Sequence, residues 1–269
     1  ILWRVYAEKG DLEKSRQALE RLPQTERQNF LIRTAWAIQY ALEGKRSEAM
    51  KEMDDEVLGC GGTIAKYAKD NEIYILILGE GITSRYENRQ EASAVELSAL
   101  KHKATEAGKF LGAKDIFFLD LPDQRFETVP FLEITKKIEE FIKKIEPKII
   151  FTHSSADLNL DHRIAFNAVM TAARPVKNCP VKEIYSFEIP SSTEWSFQKI
   201  NGAFLPNIFE DISSTLERKI EASKIYNSEM REFPHPRSKE GIEILAKKRG
   251  MAVGINLSEA FELIRRIEN

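Results

Sequence analysis

From residue 57 to residue 187, short apolar runs alternate with stretches of helical periodicity, and this alternation limits the fold more than any other feature of the chain. Ile73-Tyr74-Ile75-Leu76-Ile77-Leu78 is a continuous apolar run between Asn71 and Gly79, the pattern of a strand buried on both faces. Asp115-Ile116-Phe117-Phe118-Leu119, Lys148-Ile149-Ile150-Phe151-Thr152 and Glu183-Ile184-Tyr185-Ser186-Phe187 repeat it. Helices are expected over 57–69, 92–111 (ending at Gly112), 131–145 (ending before Pro147) and 162–173. Strands separated by helices imply parallel crossover units, hence an α/β fold with a Rossmann-like, mostly parallel sheet and helices on both faces. Such sheets bind ligands beyond the carboxyl ends of their strands. Gly79-Glu80-Gly81, Leu121-Pro122-Asp123 and Thr152-His153 should therefore gather at one edge.

The first fifty residues read differently. Tyr6 and Tyr40, and Gly10 and Gly44, are each 34 residues apart, with Ala18-Leu19 and Ala49-Met50 at nearly matching places after the glycines. Helices would cover roughly 1–8, 11–22, 25–42 and 45 onward, broken at Pro23. This period resembles the tetratricopeptide repeat, although fewer than two units fit where about three are usually needed to cover the apolar faces. Trp3, Phe30 and Trp36 read as packing aromatics. The division expected is a helical segment at 1–53 and an α/β domain at 54–269.

Charge excludes one class of function. A net charge of −2 with both signs interspersed offers no basic surface to track nucleic-acid phosphates. No apolar run reaches membrane-span length and the first residues form no secretory signal, so a cytoplasmic protein is expected. Cys60 and Cys179 are the only cysteines and lack metal-type spacing. Gly59-Cys60-Gly61-Gly62 lacks the lysine and hydroxyl residue of a phosphate-binding loop, so its glycines are expected to permit close helix packing.

Two stretches carry the chemistry. Asp54-Asp55-Glu56-Val57-Leu58-Gly59 opens the α/β part, and His153-Ser154-Ser155-Ala156-Asp157-Leu158-Asn159-Leu160-Asp161-His162-Arg163 follows the third strand. Further on come Phe187-Glu188-Ile189-Pro190, Glu194-Trp195, Phe204-Leu205-Pro206-Asn207, Phe233-Pro234-His235-Pro236-Arg237 and Lys248-Arg249-Gly250. In this order, from about Asp54 to Asn269, they resemble the PIG-L/LmbE family of zinc-dependent deacetylases of N-acetyl sugars. One feature departs from it. The family opens its site with a strand running into His-Pro-Asp-Asp-Glu, whereas here Glu52 and Met53 precede Asp54 and no strand precedes Val57. The domain is therefore expected to lack its usual first strand, as if the helical segment had been joined at the shared Asp-Asp-Glu.

Amide hydrolysis needs an activated water, a base and a positive group for the oxyanion. The resemblance implies one Zn2+ per chain held by Asp55 and His162, with Asp54 as general base and His153 stabilising the oxyanion. Glu52 stands in the place of the family's third ligand; carboxylates bind zinc, and within one helix Glu52 and Asp55 would share a face. Asp157 and Asp161 are candidates to accept the second ring N–H of His153 and His162. Arg85, Trp195, His235 and Arg237 are candidates to line a sugar pocket. The helix expected over 213–230 and the segment from Ser258 onward should pack over the sheet. The function implied is removal of acetyl from an N-acetylglucosamine-type sugar. The alternative is a family member impaired at the metal, whose N-terminal helices bind a protein partner.

Overall fold

The computed structural model describes residues 55–83, 89, 93–198, 202–226 and 230–268. The expected helices of 1–53, and with them Glu52, Asp54 and Arg85, lie outside the described residues.

β1 (Tyr74–Gly79) pairs in parallel with β2 (Asp115–Leu121), Tyr74 opposite Asp115. β3 (Ile149–His153) pairs in parallel with β4 (Glu183–Phe187), Ile149 opposite Glu183. Beyond β4 lies β6 (Ser258–Arg266) and beyond that β5 (Ile208–Asp211), both pairings antiparallel. The described strands thus form two groups, β1-β2 and β3-β4-β6-β5. Helices cover both faces. Side chains alternate along β1, so Ile75 and Ile77 join a core with α1 (Asp55–Tyr67), α2 (Ala94–Leu111) and α5 (Leu216–Ile225). Leu76 and Leu78 face a second core with α3 (Phe131–Ile145) and α4 (Leu160–Ala172).

Local sequence explains the helix limits. Ser93 and Glu96 form a capping box at the start of α2, and Gly112, at φ 103°, ends it in the left-handed conformation glycine adopts at low cost. In α3, Ile134, Ile138 and Ile142 recur every four residues as its buried stripe.

The C-terminal part corrects three expectations. Ser258 onward does not pack over the sheet; it is the inner strand β6, between β4 and β5. Its acidic residues obscured this in the sequence, yet each finds an internal partner: Glu259 meets Lys219, and Glu262 accepts from Ser186 Oγ and Leu205 N–H. The sheet is consequently mixed rather than mostly parallel. The helix expected over 213–230 is the shorter α5, preceded by a turn at 213–215, and α6 (Lys239–Met251) was not foreseen.

The glycine-rich start of α1 is where the fold fixes the site. The helix breaks at Cys60 (φ −143°, ψ 19°), which takes the Gly62 and Thr63 N–H groups out of the helical ladder. Both donate to the Glu259 carboxylate, at 2.9 and 2.7 Å. Lys219 Nζ, from α5, donates to the same carboxylate at 2.6 Å and to Leu58 O at 2.8 Å. Gly59 packs on Phe187 so closely that a Cβ would lie 2.4 Å from its ring. Lys219 and Glu259 are each only 5% exposed, so removing one leaves the other's charge buried and uncompensated.

Glu259→Ala is expected to lower the unfolding free energy by about 3 to 5 kcal/mol. Glu210→Ala, which removes the partner of the part-exposed Lys66, should cost less than about 1 kcal/mol. Urea unfolding of the two variants reads the difference, and equal losses would contradict this account of α1.

β1 and β3 each have one strand partner among the described residues. Between them lies a cavity of about 690 Å³, lined by both strands and open to Asp55, His153 and His162.

Candidate metal centre

The centre draws on three elements. Asp55 is the first residue of α1, His153 the last of β3, and His162 sits in the first turn of α4. The spacing Asp157-x-Asn159-x-Asp161-His162-Arg163 describes a self-braced loop. Asp157 Oδ1 accepts from Asn159 N–H at 2.9 Å, and Asn159 Oδ1 accepts from Asp161 N–H at 2.9 Å, capping α4. Arg163 Nη1 donates to the carbonyls of Asp157 and Leu158, both at 2.6 Å. Each polar residue of the motif therefore helps set where His162 begins its helix.

Both histidines meet one carboxylate oxygen. His153 Nε2 lies 3.2 Å and His162 Nε2 3.0 Å from Asp55 Oδ2, and the two rings stack at 4.2 Å between centroids, 25° from parallel. One ligand-type atom from each residue lies within 4.8 Å of the other two. On its far side, His162 Nδ1 is 3.1 Å from Asp157 Oδ1. Asp157 is fully buried and also accepts from Ser192 Oγ at 2.5 Å and Thr193 Oγ1 at 2.6 Å. A carboxylate at this distance from Nδ1 can hold the ring proton on that side, the arrangement in which Nε2 would be free to give its lone pair to a metal ion.

Electrostatics follow from this crowding. Burial pulls the Asp55 carboxyl upward, but the charge of His162 and hydrogen bonds from both imidazoles outweigh it and hold Asp55 well below the usual range. Burial and the neighbouring His162 push His153 down, against the pull of Asp55. Asp157 is likewise held low by His162 and the two hydroxyls despite its burial. Two imidazole nitrogens and a carboxylate oxygen are a donor set that suits zinc, and Asp55 Oδ1 is buried with no hydrogen-bond partner among the described residues. The residues present fit a divalent metal ion.

The sequence treated Asp157 and Asp161 alike, and the structure separates them. Asp161 Oδ1 accepts from Phe126 N–H at 3.0 Å, and burial, with Asp123 and Glu127 nearby, pushes its carboxyl up to about 7. Trp195 and His235 stand together, edge to face at 5.7 Å, with Trp195 51% exposed. Arg237 points inward: 4% exposed, its Nε donates to Ser191 Oγ and Pro190 O and so braces the loop that carries Ser192 and Thr193. Ser192 and Thr193 were missed by sequence reasoning. Their signal was a run of hydroxyl residues shortly after a strand end.

Asp157→Ala would strip acceptors from His162, Ser192, Thr193 and Asn159 together, and is expected to cost about 3 to 5 kcal/mol. Asp161→Asn keeps an oxygen for Phe126 N–H and should stay within about 1 kcal/mol of the parent. Chemical denaturation of both variants checks the ranking, and a larger loss in Asp161→Asn would reverse it.

Residues 53–173 match the PIG-L family model, described as GlcNAc-PI de-N-acetylase. Among solved structures, the chain is similar to N,N'-diacetylchitobiose deacetylase from Pyrococcus horikoshii (TM-score 0.62, 19% identity, 79% of this chain and 80% of that one). It is similar to GalB, the 4-carboxy-2-hydroxymuconate hydratase from Pseudomonas putida KT2440 (TM-score 0.62, 20% identity, 82% and 96%). A deacetylase of the teicoplanin biosynthesis pathway also matches (TM-score 0.59, 14% identity, 81% and 97%). At these identities the likeness is one of fold. No described helix is long and apolar enough to cross a membrane. Residues 53–173, the stretch that supplies Asp55, His153, Asp157 and His162, form a PIG-L family domain.

Proposed function

We propose that this protein is a zinc-dependent amide hydrolase that removes the acetyl group from an N-acetyl sugar of the N-acetylglucosamine type. The observation that carries the reading is the convergence of His153 Nε2 and His162 Nε2 on Asp55 Oδ2, inside the segment matched to PIG-L. The fold also serves a protein described as a hydratase, so the choice of amide hydrolysis rests on the matched family.

Asp55, His153 and His162 would hold the metal. The family resemblance implies the oxyanion role for His153 and puts Glu52 in the place of the third ligand; the position of His153 Nε2 beside Asp55 favours His153 itself as that third donor. A bound zinc ion would supply Lewis acidity toward a water and the amide carbonyl. Asp157 keeps His162 oriented through Nδ1. Asp54, next to Asp55 in sequence, is the proposed general base, taking a proton from the attacking water and returning it to the departing sugar amine as the C–N bond breaks. The products are acetate and the free amine. The exposed Trp195 and half-buried His235 would offer an aromatic face and a polar edge to the sugar, and burial with Arg237 and Arg231 nearby keeps His235 pushed down, toward its neutral form.

Elemental analysis of purified protein tests the ligand set, with about one zinc per chain expected and loss of most of it in both His162→Ala and His153→Ala. Zinc retained in His153→Ala with slower acetate release would return His153 to the oxyanion role. Zinc retained in His162→Ala would overturn the centre. Asp54→Asn should slow acetate release from an N-acetylglucosamine substrate by about 10²- to 10⁴-fold without removing the metal.

A further inference from the structure

Asp55, Gly59, His153 and Phe187 form two paired contacts between α1 and the sheet. Asp55 and Gly59 stand four positions apart in α1, ahead of its break at Cys60, so they share one face of the helix, about 6 Å apart along its axis. Opposite them, His153 and Phe187 are register partners at the ends of β3 and β4, so their side chains leave the sheet on the same side, about 4.8 Å apart. Asp55 meets His153, Oδ2 to Nε2 at 3.2 Å. Gly59 meets Phe187, where a Cβ would lie 2.4 Å from one ring carbon and 2.8 Å from the next. The His153 and Phe187 rings also pack together, with centroids 5.1 Å apart and planes at 54°.

The second contact has little slack. Phe187 is buried, and its register partner on the other side, Phe261, is fully buried and set edge to face with Phe151 at 5.0 Å. A shift of the ring toward β6 therefore meets packed aromatic rings. A shift toward β3 meets His153, whose side chain is part-exposed and borders the large cavity, so that side yields more easily. Glycine at 59 lets the helix backbone rest on the ring; a side chain there would lift the start of α1 or drive the ring against the imidazole. Either movement changes the Asp55–His153 separation, and ligand distances at a metal ion hold to within about 0.2 Å.

We infer that Phe187 is a positioning residue of the metal centre: the contact between its ring and the Gly59 backbone is the spacer that sets how far Asp55 on α1 stands from His153 on β3. The inference rests on the reading of Asp55, His153 and His162 as ligands of one metal ion. Phe187 offers no ligand atom and acts through His153. Phe187→Leu would remove the ring that packs against the imidazole, and Gly59→Ala would press that ring toward it. The two changes should compensate when combined, since the added methyl takes space that the ring gives up.

Two measurements on the full chain test this. In zinc-free protein, long-range proton–nitrogen correlation spectra report the imidazole rings directly. Gly59→Ala and Phe187→Leu should each shift the His153 signals and leave those of His102 and His235 in place. In competition with a chelator, each variant should bind zinc at least about tenfold more weakly than the parent, and the double variant more tightly than either single one. Gly108→Ala controls for crowding alone: its Cβ would lie 2.8 Å from Ile116, in the same core but near the amino end of β2, and it should change neither readout. If Gly59→Ala fails to fold, Phe187→Leu carries the test. Unchanged His153 signals and zinc affinity in Phe187→Leu would overturn the inference, and so would equal effects of Gly108→Ala. A parent protein that binds no zinc would overturn the hydrolase reading, and the zinc-free spectra would then decide the inference on their own.

Discussion

A single carboxylate oxygen, Asp55 Oδ2, holds two imidazoles that arrive from different elements, and the architecture around it follows from keeping that meeting in place. Asp55 begins α1, so its position depends on how α1 is anchored. The break at Cys60 frees two amides for Glu259, and Lys219 balances the charge that results. This links α1 to α5 and β6 through a buried ion pair whose remaining lone pairs and protons are also used, the condition under which such a pair holds rather than weakens a fold. On the other side, the Asp157 network fixes His162 from behind, and the loop after β4, held by Arg237, fixes Asp157 in turn.

This arrangement suits the proposed chemistry. Three donors on α1, β3 and α4 are set by backbone elements, and the ring tautomer of His162 is set by a buried carboxylate, so little reorganisation is required to receive a metal ion. Trp195, 51% exposed and edge to face with His235, lies on the same loop as Ser192 and Thr193. A substrate group resting on that pair would thus bear on the same framework that orients His162.

Elements with a clean period were legible in the sequence. The apolar runs marked β1 to β4 within a residue or two, because three or more adjacent apolar or aromatic residues dominate each strand and its few polar positions fall mostly at the ends. The Asp-x-Asn-x-Asp-His spacing pointed to a loop that delivers His162, since Asx turns and an N-cap require those residue types at those offsets. β6 was not legible: Glu259 and Glu262 broke its apolar pattern, and only tertiary partners far away in sequence make them compatible with an inner strand. The separate fates of Asp157 and Asp161 were likewise hidden, because hydroxyls thirty-five residues on and Phe126 N–H, not local spacing, decide them. His153 beside Asp55 could not be read either, as it depends on how β3 and α1 meet.

The claim on which the account turns is that Asp55, His153 and His162 share one metal ion. X-ray absorption spectroscopy of the zinc-loaded protein addresses it most directly. The account predicts multiple-scattering features of about two imidazole ligands with oxygen completing the shell, and a spectrum reduced to about one imidazole in His153→Ala. A spectrum dominated by sulfur, or one without imidazole scattering, would contradict it.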